Sequence, residues 1–91
     1  MSDATTVQSL VRALDLLESV ASSGRDVSLK HIAEQIGLKT PTAHNLAKTL
    51  VIRGYLEKAP GHGMYRIGSG VSNLLRMHRG SRRSVRIEAS V

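Results

Sequence analysis

The side chains best suited to chemistry lie close together in residues 39–53, where Lys39, Thr40, Thr42, His44, Asn45, Lys48, Thr49 and Arg53 occur without a single Asp or Glu. Such a set is suited to recognition. An asparagine amide can bond the edge of adenine and a lysine that of guanine, while unopposed cations bind phosphates by releasing counterions. Catalysis has no comparable set. The four histidines (His31, His44, His62 and His78) show no paired spacing on one helix face, and there is no cysteine, so neither a metal site nor a disulfide is expected. No serine lies in a nucleophile elbow and no carboxylate pair stands in a plausible site. The chain therefore reads as a non-enzyme that needs no cofactor.

A helix must hold these side chains. Ala43, Leu46, Ala47, Leu50 and Val51 recur at helical spacing, which predicts a helix over residues 41–53 with a core stripe on one side. His44, Asn45, Lys48 and Thr49 then fall on the opposite face, with Ile52 at its far end. Thr40 is expected to cap this helix, and Pro41 suits its first position, where a missing N–H costs nothing. Ser28 is a good cap for a preceding helix over residues 29–36, whose apolar face is Leu29, Ile32, Ala33 and Ile36. Gly37 fits a tight turn that needs positive φ, and Leu38 returns to the core. Two helices joined by a short glycine turn make a helix-turn-helix, whose second helix enters a DNA major groove.

The flanks extend this unit. Residues 7–22 predict a first helix, with Val7, Leu10, Val11, Leu14, Leu17 and Ala21 on one face and Ala13, Leu16 and Val20 widening the stripe. At ~100° per residue the apolar arc spans roughly 220°, well beyond the ~100° of an ordinary core-facing helix. One explanation is a second burial surface against a partner chain, formed by Val7, Leu10, Leu14, Leu16, Leu17 and Val20. The other is a helix sandwiched within its own domain. After Gly54, residues 55–58 and 64–67 alternate as strands around the turn-rich loop 59–63, which gives a β-hairpin. Val71, Leu74, Leu75 and Met77 suggest a further short helix or linker, followed by an arginine-rich tail. The fold expected is mainly α with a small β-hairpin: a winged helix-turn-helix of three core helices plus a wing over residues 7–68. A linker helix and tail occupy residues 69–91.

Charge supports this reading. The chain has 91 residues, enough for one small domain, and a net charge of +6. Residues 1–38 carry three Lys or Arg against five Asp or Glu, whereas residues 39–91 carry ten against two. A basic excess confined to one part of a small domain suits phosphate binding. The aromatics are only Tyr55 and Tyr65, which argues against modules that stack single-stranded bases on aromatic platforms. No apolar run suits a signal peptide or a membrane span, so a cytoplasmic protein is expected.

The run Val7-Gln8-Ser9-Leu10 with Arg12-Ala13-Leu14, then Ser28-Leu29 and Ile32-Ala33, resembles the start of IclR-type transcription regulators. So do Gly37-Leu38, Thr42-Ala43-His44, Leu46, Arg53-Gly54-Tyr55-Leu56 and Tyr65-Arg66-Ile67-Gly68. The resemblance covers about residues 7–75. It implies a winged helix-turn-helix, dimerisation partly through the first helix, and action in the cytoplasm as a repressor or activator on a pseudo-palindromic operator. Two positions depart from the family pattern. Pro41 stands where a serine usually precedes the threonine, and Asn45 where arginine is common, which shifts the expected preference from guanine toward adenine. A small-molecule effector would bind only through a C-terminal domain absent from this chain, which the tail would begin.

The expected roles follow. Thr42, His44, Asn45 and Lys48 read base edges, with Thr49 beside them, while Lys39 and Thr40 anchor phosphate at the helix N-terminus. Arg53 either pins the opposite strand or caps its own helix. Lys58, His62 and Arg66 touch the backbone or minor groove, unless the wing merely covers the core. The partners expected are double-stranded DNA and a second copy of the chain, with no membrane. The competing reading is a winged-helix module for protein contacts alone; a weaker one is membrane-surface binding through the arginine tail.

Overall fold

A computed structural model describes residues 6–80, in the order α1 (Gln8–Ser23), β1 (Val27–Ser28), α2 (Leu29–Ile36), α3 (Thr40–Ile52), β2 (Leu56–Lys58), β3 (Met64–Ile67) and α4 (Ser69–Gly80). Of the arginine-rich tail expected from Arg76 onward, Arg76 and Arg79 fall in α4 and the remainder lies outside the described residues.

Local chemistry sets most of the boundaries. Ser28 caps α2, its hydroxyl accepting the His31 N–H at 3.3 Å. At the other end Gly37 turns left-handed at φ 75°. The Gly37 N–H then bonds Glu34 O at 3.3 Å and the Leu38 N–H bonds Ala33 O at 2.8 Å. These two bonds form the Schellman ending that a glycine permits. The same pair closes α3, with Gly54 at φ 84°, its N–H on Val51 O, and Tyr55 N–H on Leu50 O, both at 2.9 Å. The cap expected at Thr40 belongs instead to Lys39, which makes no side-chain cap bond. Helical bonding starts at the Lys39 carbonyl, which accepts the Ala43 N–H at 3.0 Å. Thr40 and Pro41 therefore lie inside the first turn, where proline is tolerated.

The core is formed by Leu16 and Val20 of α1, Val27 of β1, Leu29, Ile32 and Ala33 of α2, Ala43, Ala47 and Leu50 of α3, and Leu56 and Tyr65 of the hairpin. Ala43 and Ala47 are fully buried, so small residues let α3 approach its neighbours closely. The arc of α1 divides in the opposite sense to its most regular stripe. Leu16 and Val20 point into the domain and Leu17 packs against the same core, which removes Leu16 and Val20 from the expected partner-facing set. Val7, Leu10, Val11 and Leu14 are exposed. α1 thus buries one part of its apolar arc in the domain and leaves the other exposed.

The hairpin gains a third strand that the sequence reading lacks. β1 pairs antiparallel with β3 through Val27–Tyr65 and Ser28–Met64, giving the order β1-β3-β2. The Leu29 N–H extends this join by bonding Gly63 O in the wing loop at 3.0 Å. The wing is thereby attached to the start of α2 by backbone bonds on both sides of Ser28.

Candidate nucleic-acid interface

Strand register decides which way the wing presents its cations. Lys58 lies opposite Tyr65, and Glu57 opposite Arg66. Because side chains alternate along a strand, Lys58 shares the inner face with Leu56 and Tyr65, while Glu57 and Arg66 share the outer face. Arg66 is held there by Glu57 at 3.2 Å and by Asp26 at 4.0 Å. The expected set of Lys58, His62 and Arg66 therefore splits, and Arg66 does not line the space between wing and α3.

That space is a groove in two adjoining parts. One, of about 520 Å³, lies between the start of α2, the first half of α3 and the wing; Lys30, Thr40, His44, Lys58 and His62 are among its lining residues. The other, of about 320 Å³, continues along α3 past His44, Asn45, Lys48 and Ile52 and shares Lys58 and Tyr65 with the first. No Asp or Glu lines either part. Among the described residues, the only ion pairs formed by a basic side chain are those of Arg66. The carboxylates of the described residues line neither part: Asp15 and Glu18 border a shallow depression between α1 and α2, Asp26 and Glu57 attend Arg66, and Glu34 is exposed on α2, one turn beyond Lys30.

Of the remaining expected residues, Thr42 is half-buried and Lys39 and Arg53 are exposed, and none of the three lines the groove. Arg53 occupies the C-cap position of α3 through its backbone N–H, which bonds Thr49 O at 3.0 Å. The Thr49 hydroxyl donates to Asn45 O at 3.1 Å, so its proton is engaged within the helix. Lys30 was not singled out from the sequence. Its only signal is its place on the polar side of α2, next to the Ser28 cap, and the groove it lines exists only once the wing folds back.

A helix-turn-helix whose second helix and β-hairpin enclose an acid-free cationic groove defines the winged helix-turn-helix class. Residues 9–60 match the IclR helix-turn-helix domain, and the chain belongs to that family. It is 40% identical over 63 residues to the transcriptional repressor IclR of Escherichia coli K12, covering 69% of this chain and 23% of that protein. It is 36% identical over 62 residues to the HTH-type transcriptional regulator XynR of the same organism, covering 68% of this chain and 25% of the relative. The crystal structure of an IclR family transcriptional regulator from Brucella abortus superposes with a TM-score of 0.70 at 32% identity, over 79% of this chain and 28% of that one. The chain thus spans about a quarter of the length of the curated relatives it matches.

Proposed function

We propose that this chain is the DNA-binding domain of an IclR-type transcription regulator, acting in the cytoplasm as a homodimer on a pseudo-palindromic operator, with α3 in the major groove. The observation that carries this reading is the continuous acid-free groove along the outer face of α3 and the inner face of the wing. A solvated helix ordinarily mixes signs on its exposed face. Here Lys48 and Lys58 meet no carboxylate, and His44 and Asn45 present their polar ends beside them.

Within this reading, Asn45 and Lys48 read base edges and Thr40 and Lys39 approach phosphate at the N-terminus of α3, where the helix dipole favours anions. Arg66 has no place in the contact. Two-fold pairing would use the exposed Leu10 and Leu14 of α1 and Val7 at its N-cap. Residues 69–91 would lead toward a C-terminal effector-binding domain, so a small molecule would act on DNA affinity from outside this chain.

The test is alanine substitution of Asn45 and of Lys48, measured on a duplex selected from random sequence. Each change is expected to weaken that duplex by about 1–3 kcal/mol and to relax discrimination at particular base pairs. Wild-type affinity and wild-type discrimination in both variants would remove α3 from base reading.

A further inference from the structure

One side chain of α3 is out of keeping with its surroundings. Ile52 is 74% exposed, more than any other exposed large apolar residue of the described chain. The others lie on α1, at its N-cap and on α4, and they line neither part of the groove. Ile52 lines the smaller part, beside His44, Asn45, Lys48 and Lys58. At ~100° per residue, Pro41, Asn45, Lys48 and Ile52 share one exposed ridge, directly opposite the buried Ala43, Ala47 and Leu50. The domain itself gains little from isoleucine there. A side chain so exposed adds little to the core, and β-branching lowers helix propensity. A cation would suit the dipole at this end of the helix, yet the last turn of α3 has none.

We propose that Ile52 is a specificity-determining residue that packs against the C5-methyl group of a thymine in the major groove, in line with the bases read by Asn45 and Lys48. The inference rests on the DNA-binding reading above and adds to it a residue and the base which that residue selects. Isoleucine has no donor or acceptor, so it is blind to the hydrogen-bonding groups of a base edge. The thymine methyl is the apolar group that a base pair displays in the major groove. Lys48 and Lys58 stand on the same lining without a carboxylate, which suits a polyanion. Against an apolar protein surface both cations would have to be desolvated. The rise of the helix then sets the spacing. Two turns separate Asn45 from Ile52, ~10 Å at ~1.5 Å per residue. That distance fits the ~12 Å width of the major groove and equals about three base-pair steps.

The experiment is fluorescence-anisotropy titration of the 91-residue chain with a duplex selected from random sequence. Further duplexes replace each thymidine in turn by deoxyuridine, which lacks the methyl and pairs as thymidine does. One replacement per half-site should weaken the wild type roughly 3–5-fold, the worth of one buried methyl. Its place should be about three base pairs from the position where Asn45→Ala relaxes discrimination. Ile52→Ala should bind the thymine and uracil duplexes equally, Ile52→Val should still separate them, and Asn45→Ala should keep the wild-type ratio. Thermal unfolding of Ile52→Ala should match wild type, since the side chain is exposed. A wild type indifferent to every replacement, an Ile52→Ala variant with the full ratio, or an enriched site without thymine at that spacing would overturn the proposal and leave DNA binding in place. Weaker self-association of Ile52→Ala in sedimentation equilibrium, with the thymine–uracil ratio unchanged, would overturn it in favour of a contact between copies. Absence of duplex binding would overturn the underlying reading together with this one.

Discussion

At the scale of single residues, strand register rather than charge sets which basic side chain of the hairpin lines the groove and so which one the proposed DNA contact would use. Arg66 and Lys58 are both basic and both in the hairpin, yet one faces Glu57 and Asp26 and the other faces the groove. Exposed ion pairs of this kind contribute ~0–1 kcal/mol. Arg66→Ala is therefore expected to leave DNA affinity and salt slope close to wild type, with stability reduced by about 1 kcal/mol at most. Lys58→Ala should lower the salt slope by about one. Equal losses of affinity in the two variants would contradict the register argument. The core poses a different residue-scale question. Ile32 is 2% exposed in the central cluster, so Ile32→Ala should cost about 2–5 kcal/mol of stability, measured by urea unfolding.

At the scale of elements, α4 begins where backbone meets backbone, against the turn that follows α3. The Gly70 N–H donates to Gly54 O at 2.7 Å and the Gly68 N–H to Tyr55 O at 2.9 Å. A Cβ on Gly70 would come within 2.5 Å of Gly54 O and 2.7 Å of Gly54 C. The obstruction is backbone and cannot swing away. Gly70→Ala should therefore destabilise the domain by about 1–3 kcal/mol or displace α4. Gly80→Ala meets nothing within 4 Å and should stay within about 0.5 kcal/mol of wild type. Thermal unfolding of the two variants checks the contrast. Most elements were legible because their signals are local: the Ser28 cap, the glycine endings at Gly37 and Gly54, and the core stripe of α3. β1 was not legible, since two residues carry no alternation and its pairing with β3 is set by chain far away in sequence. The cap at Lys39 was missed for a related reason: Thr40 has the better capping side chain, but the backbone starts its helical bonding one residue earlier.

At the scale of the whole molecule, the proposed two-fold pairing is tested on the exposed apolar surface. Val7, Leu10 and Leu14 are 63%, 58% and 46% exposed along one side of α1, and Leu74, Leu75 and Met77 are exposed on α4. Helical periodicity revealed the width of the α1 stripe, but it could not say which arc faces inward. That depends on where α2, α3 and β3 pack, and they cover Leu16 and Val20. A Leu10→Ser/Leu14→Ser variant should keep its fold and lose self-association by at least tenfold in sedimentation equilibrium. Wild-type association in that variant would place the dimer contact elsewhere. The site was partly legible too. The acid-free face of α3 reads directly from residues 39–53, whereas Lys30 and the separation of Lys58 from Arg66 required the folded wing.

The measurement that bears most directly on the central claim is selection of the chain on a randomised duplex pool, followed by binding of the enriched sequence at two salt concentrations. Enrichment of a palindromic site is predicted, with affinity falling steeply as salt rises. A pool that stays random, with weak binding indifferent to salt, would contradict the assignment of the groove to DNA.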